Sequence, residues 1–236
     1  MGKHFHNLSF LISTLVVVAT LVHDISATKY IVTNNAKNTP GGARFDREIG
    51  VSLALQIMPI INDFIYRIFE QPTSAERKYV PVLNLYISDM PYPWFAYKNG
   101  DNINFSAWGI NNFPPGQGKA RYHFTAIMYH EMTHVFQWSG QQTAPGGLTE
   151  GMADYVMVKS HIYEKSTYPK PGAGSRWDEG YGITEHFLEY CDSLREGFTP
   201  ALNKKMRYAY SDNYFVELLG KPVNQLWLDY KAKYSN

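Results

Sequence analysis

One stretch of the chain, residues 120–138, contains neither glycine nor proline and has glycines on both sides. Its apolar residues recur near helical spacing, so the stretch predicts a single helix. Within that helix, His130, Glu131 and His134 form the pattern H-E-x-x-H. Residues four apart lie above one another on a helix, so both imidazoles can reach one metal ion, and zinc is typical of this pattern. The alternative is an ordinary amphipathic helix whose histidines are core or surface residues.

The acids around this motif complete a predicted zinc site. Glu131 lies beside the metal and is suited to act as a general base on a metal-bound water, as in zinc peptidases. Catalytic zinc needs three protein ligands, and two histidines with one glutamate are a standard set. After a loop rich in glycine, Glu150 can return to the metal, and Asp154, one turn later, can accept a hydrogen bond from a ligand histidine. Alternatively, both acids lie in the solvated first turn of a second helix.

Several segments beyond the motif resemble one family. Residues 130–155 are similar to the plant basic secretory proteins, which are assigned to the gluzincin type of zinc metallopeptidase. The resemblance continues over most of the remaining chain, in residues 32–36, 39–42, 176–181, 190–191, 202–206 and 210–213. It implies Zn²⁺ held by His130, His134 and Glu150, with Glu131 as base and Asp154 supporting a ligand. It also implies secretion and a role in plant defence.

The secondary-structure signals predict an α+β fold, in a single domain over residues 28–236. Strands are expected at residues 30–33 and 80–88, and a hairpin at 94–97 and 103–107 around an Asn-Gly turn. A helix is expected at residues 45–69, kinked at Pro59, and a mainly helical part follows the motif helix. The resemblance implies a zincin-like architecture, in which an edge strand beside the cleft pairs with an extended substrate. The hairpin that ends in residues 103–107 is the candidate for this edge.

Hydrolysis of a peptide bond also needs a donor that stabilises the developing oxyanion. Tyr181 is the candidate, because residues 177–182 predict a glycine-flanked loop after the second helix that can face the cleft. With 18 tyrosines in the chain, a packing role for Tyr181 is an equal alternative. His161 and His186 are further candidates.

The N-terminus predicts export. Lys3 precedes an apolar run from Leu8 to Val22, and Ala27 supplies a small residue for cleavage, so residues 1–27 read as a secretory signal peptide. An uncleaved membrane anchor is the alternative, for which the run is short. No later stretch is expected to span a membrane. We therefore expect a secreted protein of the apoplast or cell wall, or of the vacuolar pathway.

The net charge bears on which partners the protein binds, and the cysteine content bears on whether disulfide bonds stabilise it. The formal net charge of +1 does not favour nucleic acid binding. A single cysteine, Cys191, excludes an internal disulfide, and burial is its expected state. Asn104 begins an N-glycosylation sequon, expected to be used if its loop is exposed. A monomer is the default expectation.

Three functions remain open at this level. The first is a secreted zinc-dependent peptidase that acts on an extended peptide or protein substrate. The second is a catalytically silent zinc-containing defence protein that binds a microbial or cell-wall ligand; the intact Glu131 argues against it. The third is a carbohydrate-acting or carbohydrate-binding wall protein, suggested by an aromatic content of 15%. A glycosidase needs a pair of carboxylates, and none stands out apart from the acids already assigned to the zinc site.

Overall fold

The computed structural model describes residues 27–90, 95–163 and 168–234. The predicted signal peptide lies outside this part of the chain except for Ala27, and so does Trp94 at the start of the predicted hairpin. The strands are β1 Lys29–Asn34, β2 Val82–Ser88, β3 Ala96–Asn99 and β4 Asn102–Ser106. The helices are α1 Pro40–Glu48, α2 Gly50–Ile68, α3 Ala107–Asn111, α4 Lys119–Phe136, α5 Gly146–Lys159, α6 Tyr181–Leu194, α7 Phe198–Lys205, α8 Asn213–Leu219 and α9 Val223–Tyr234.

The four strands form one mixed sheet in the order β1-β2-β4-β3. Strands β1, β2 and β4 are parallel, whereas β3 runs antiparallel to β4. A two-residue turn, Gly100-Asp101, joins β3 to β4. Gly100 has a φ of +59°, a positive value of the kind that tight hairpin turns need and that glycine adopts easily. The predicted hairpin is present and lies at the edge of the sheet, as expected. Its first strand, β3, is the edge strand, whereas its second strand, β4, also pairs with β2 and is an interior strand.

One face of the sheet carries the core. Leu83, Leu85 and Ile87 of β2 and Ile103 and Phe105 of β4 are fully buried and alternate with partly exposed residues. This period of two is that of strands with one covered face. Helix α2 packs against β1, and α4 packs against both α2 and β3. The motif helix therefore lies beneath the sheet, next to its edge strand.

The predicted helix at residues 45–69 is divided into two. The break falls at Gly50, whose φ of +77° lies in the left-handed region that glycine enters at little cost. Pro59, where a kink was expected, lies inside α2 without interrupting it. The position four residues earlier is Leu55, which is 39% exposed, so the helix loses a hydrogen bond on its solvent side.

Helix α2 corrects a second expectation, that no stretch after the signal region is apolar enough to span a membrane. By length and composition Gly50–Ile68 does reach that limit, with a mean hydropathy of 1.2. One side of the helix is apolar because it packs in the core, where Ala54, Met58, Ile61 and Ile65 are buried.

The part of the structure that follows α4 is helical, as predicted. Helix α5 packs against α4 on one side and α6 on the other, and α7 packs against α6. Aromatic rings fill the space between α6, α8 and α9, with Phe187 contacting Phe215, Trp227 and Tyr230. Cys191 is fully buried and free, as expected. The described chain is thus an α+β arrangement in which α4 and α5 lie between the sheet and the C-terminal helices.

Candidate active site

Two histidines on α4 and one glutamate on α5 bring their donor atoms together. The Nε2 atoms of His130 and His134 are 3.0 Å apart. Glu150 Oε2 lies 3.1 Å from His130 Nε2 and 3.4 Å from His134 Nε2. Glu150 is in the second turn of α5, because that helix already begins at Gly146. It faces the histidines rather than forming a solvated first turn.

The dimensions of this triangle suit a zinc ion. A tetrahedral zinc with bonds of about 2.0 Å separates its ligand atoms by roughly 3.3 Å. The three separations of 3.0, 3.1 and 3.4 Å lie close to that value. Two imidazole nitrogens and a carboxylate oxygen are also a donor set that catalytic zinc uses. The residues present therefore fit the metal that the sequence implies.

Asp154 fixes the first of these histidines. Its Oδ1 accepts a hydrogen bond from His130 Nδ1 at 2.7 Å, and its side chain is only 4% exposed. A proton on Nδ1 leaves Nε2 with a lone pair that points at Glu150 and His134. This is the tautomer that metal ligation through Nε2 requires.

Two glycines allow α5 to approach its neighbours closely enough to deliver Glu150 and Asp154. A Cβ at Gly147 would lie 1.8 Å from the carbonyl oxygen of Asp178. A Cβ at Gly151 would lie 2.4 Å from the Cβ and the Cγ2 of Thr184, on α6. Both distances are far inside van der Waals contact, so only glycine fits. The glycines around Glu150 therefore set the distance from α5 to the segment that carries Tyr181.

Gln137 supports the second histidine, a role that the sequence did not predict. Its Nε2 lies 2.9 Å from His134 Nδ1 and donates to the carbonyl oxygen of Thr149 at 3.2 Å. The side chain thus lies against the ring of His134 and ties the end of α4 to α5. A glutamine three residues beyond a histidine on a helix end is the only sequence signal for this contact.

Glu131 is buried beside the donor triangle. The residue is 6% exposed, and its Oε2 has no hydrogen-bond partner among the residues that the structure describes. Burial raises the pKa of its carboxyl above the ordinary value, opposed by His130 and His134. A buried carboxylate with an open lone pair and a raised pKa has the properties of a general base.

Tyr181 lies at the mouth of the site as the first residue of α6, not on a loop as expected. Its ring stacks on the imidazole of His130, with centroids 6.0 Å apart and planes at 10°. Burial raises the pKa of its phenol, and the charges of Glu150, Asp154 and Glu131 raise it further. Its φ of +47° is unusual for a side chain with a Cβ, and such strain is concentrated at functional sites.

The charges of the cluster favour a cation at its centre. Burial opposes a proton on His130, but hydrogen bonds to Asp154 and Glu150 outweigh that cost and raise the pKa of the imidazole to about 10. Burial also opposes ionisation of Glu150, but its hydrogen bonds with His130 and His134 hold the pKa of this carboxyl well below its usual range. The acids thus stabilise positive charge at the point where the donor atoms meet.

These residues line a cleft of about 1320 Å³. One wall is the edge strand β3, which contributes Ala96 and Lys98. At one end, Phe113 stacks between Phe95 and His123, with ring centroids 6.1 and 5.4 Å away. Because β3 has an unpaired side along the cleft, an extended chain can add to the sheet there.

The aromatic end of the cleft is held by a buried arginine. Arg44 of α1 donates from Nη1 to the carbonyl oxygens of Ile110 and Asn111, both at 3.1 Å, and of Phe113 at 2.7 Å. Its Nη2 donates to the carbonyl oxygen of Pro114 at 3.0 Å. The loop after α3 therefore has a fixed position beside α4.

Other predicted residues lie elsewhere. Neither His161 nor His186 is among the described residues that line the cleft; His186 Nε2 instead lies 3.0 Å from the carbonyl oxygen of Pro169. Tyr168, which sequence reasoning missed, does line it, and burial together with the charge of Asp154 raises the pKa of its phenol. Asn104 is partly exposed but lies on the interior strand β4, not in an exposed loop.

Comparison with known proteins gives the chain its family. The family profile described as "Peptidase of plants and bacteria" matches residues 25–230. The chain is also 41% identical over 58 residues to a "Basic secretory protease" of Boswellia serrata, an alignment that covers 25% of this chain and 66% of that relative. No solved structure matches it. Since the profile spans most of the chain and both donor-bearing helices, the protein belongs to this basic secretory family of plant and bacterial peptidases.

Proposed function

We propose that this protein is a secreted zinc-dependent peptidase of the gluzincin type that hydrolyses extended peptides in the cleft beside β3. The observation that carries the proposal is the triangle of His130, His134 and Glu150 with the buried, unpartnered carboxylate of Glu131 beside it. A structural metal site has no use for such a base. The position of α4 beneath the sheet, next to its edge strand, supports a zincin-like architecture.

His130, His134 and Glu150 would hold the zinc. When bound, zinc supplies Lewis acidity that polarises a peptide carbonyl and makes water more acidic. Glu131 takes the proton from the attacking water, and its raised pKa allows it to pass that proton to the departing amine. Asp154 keeps the ring of His130 oriented throughout.

Tyr181 and β3 position the substrate and its developing charge. The phenol of Tyr181, held against His130, would donate a hydrogen bond to the oxyanion that forms during attack. The backbone of β3 would pair with the peptide on either side of the cleaved bond. Pairing of this kind binds the main chain, so side-chain preference must come from the walls of the cleft.

Secretion and a defence role belong to the same proposal. The relative in Boswellia serrata is called a secretory protease, and residues 1–27 have the composition of a signal peptide. A monomeric protein of the apoplast, cell wall or vacuolar pathway, acting on peptides or proteins during plant defence, is consistent with both. Neither nucleic acid nor membrane binding is part of the proposal.

Cleavage of a diverse peptide library, read by mass spectrometry, tests the proposal. The wild-type protein should cleave, and a Glu131→Ala variant with the same zinc content should not. Glu196→Ala is a matched control, because Glu196 is an exposed acid away from the cleft and its loss should leave cleavage unchanged. If neither wild type nor variant cleaves while both hold one zinc ion, the protein is a silent zinc-binding defence protein instead.

A further inference from the structure

Two lysines face the same cleft without a counter-charge. Lys78 and Lys98 both line it and are both partly buried. Neither forms an ion pair or a side-chain hydrogen bond with the part of the chain that the structure describes. Taking an ammonium group out of water without a partner has a cost, which an anion beside it would offset. The ammonium groups of the two lysines are thus available to bind an anionic group of a ligand.

The geometry of β3 directs Lys98 into the cleft. In the antiparallel register, Lys98 pairs with Ile103 and Ala96 pairs with Phe105. Paired residues share a face, so Lys98 lies on the side of the sheet that bears the buried Ile103 and Phe105 and faces α4. Tyr97 alternates with it and is 43% exposed, and it also lines the cleft.

Lys78 reaches the same place from the segment before β2. Burial lowers the pKa of its ammonium group, and repulsion from Lys98 lowers it further, whereas Asp101 raises it. Asp101 acts on this charge but forms no ion pair with Lys78.

Lys98 lies close to the aromatic end of the cleft along the edge of the sheet. It follows Phe95 by three residues, and both residues line the cleft. At about 3.3 Å per residue of extended chain, their Cα atoms are roughly 10 Å apart. Phe95 stacks on Phe113, so the basic pair and the aromatic rings are separated by about three residues of an extended chain.

We propose that Lys78 and Lys98 form a subsite for an acidic side chain of a substrate that lies along β3. The substrate class is thus peptides and proteins with an aspartate or glutamate near the cleavage position. This inference takes its substrate, a peptide, from the proposed peptidase function. The binding test below does not require that the peptide is cleaved.

The first test compares peptides that differ only by Glu or Gln at one position, scanned over three residues on each side of the cleaved bond. The wild-type kcat/KM should be about tenfold higher for glutamate at one position, the ratio that a charge-assisted hydrogen bond supports. Lys98→Met and Lys78→Met should each reduce this ratio, and Lys98→Arg should keep it. Lys37→Met, which removes an exposed lysine outside the cleft, should leave the ratio unchanged. Equal rates for the two peptides, or a ratio that survives Lys98→Met, would overturn the proposal.

A second test does not depend on cleavage. Binding of labelled Glu and Gln peptides to the zinc-loaded Glu131→Ala variant, measured by fluorescence anisotropy, should show the same preference and the same loss when Lys98→Met is added. If no peptide is cleaved in the first test but this preference is present, the peptidase function fails and the acidic subsite stands. Equal binding of both peptides, or none, refutes the subsite. Lysine-dependent binding of a uronic-acid oligosaccharide, with neither peptide bound, refutes the peptide assignment.

Discussion

The substitution Gly151→Ala tests whether helix packing sets the geometry of the donor triangle. The new methyl group would lie 2.4 Å from two side-chain carbons of Thr184 and 3.1 Å from its carbonyl carbon. Ordinary contact begins at 3.4 Å, so α5 and α6 must separate by about 1 Å at this point. Glu150 precedes Gly151 directly, and Tyr181 begins α6, so the shift would move the proposed metal ligand Glu150 relative to its neighbours.

Overpacking of this kind costs roughly 1–3 kcal/mol in the free energy of unfolding. For a domain of this size the thermal midpoint should fall by roughly 2–12 °C. A displacement of about 1 Å near reacting groups lowers activity about a hundredfold, so we expect kcat/KM to fall by that order. Both are measured on purified protein, by scanning calorimetry and by cleavage of one peptide from the library.

Gly146→Ala is the matched control, because a Cβ there meets nothing within 4 Å although the residue lies in the same helix. Its midpoint and activity should stay close to those of the wild type. Adding Thr184→Ser to Gly151→Ala should restore part of the loss, since it removes one of the two clashing carbons. If Gly151→Ala behaves like Gly146→Ala in both assays, the argument from packing is refuted.

Three further predictions concern the metal and the oxyanion. Asp154→Asn should weaken zinc affinity about 10- to 100-fold, measured by competition with a chromophoric chelator, because it replaces the carboxylate that orients His130; an unchanged affinity would contradict that role. Removing zinc should abolish cleavage and lower the free energy of unfolding, by about 2.7 kcal/mol relative to zinc at a hundred times its Kd, and calorimetry with and without chelator measures this. Tyr181→Phe should lower kcat about 10²- to 10³-fold while KM changes little, whereas a loss confined to KM would indicate a binding role.

The sequence predicts the part of the site that is local. His130, Glu131 and His134 could be placed on one helix face because their spacing is contained within four residues and nothing between them breaks the helix. Glu150 was also anticipated, since a helix was expected after the loop. Its contact with both histidines, however, depends on how far α5 packs from α4, which the sequence does not encode locally.

Some of the features that the sequence does not predict depend on partners distant in the chain. A hairpin alone does not show which of its strands meets β2, so the sequence does not identify β3 as the edge strand. The division of the helix predicted at residues 45–69 has a local cause, because Gly50 adopts a left-handed conformation between α1 and α2. Gln137 was missed because its partners, His134 and Thr149, lie on two different helices.

The close approach at Gly147 and Gly151 has a consequence for comparing members of this family. The glycines at these two positions determine how closely α5 packs on its neighbours, and neither has a side chain that could take part in a reaction. The residues at positions 130, 134 and 150 supply the donor atoms. A relative that keeps both glycines but has lost one of the donor residues should therefore keep the fold without the activity. The two sets of positions can then be compared separately when genomes are searched for inactive members of the family.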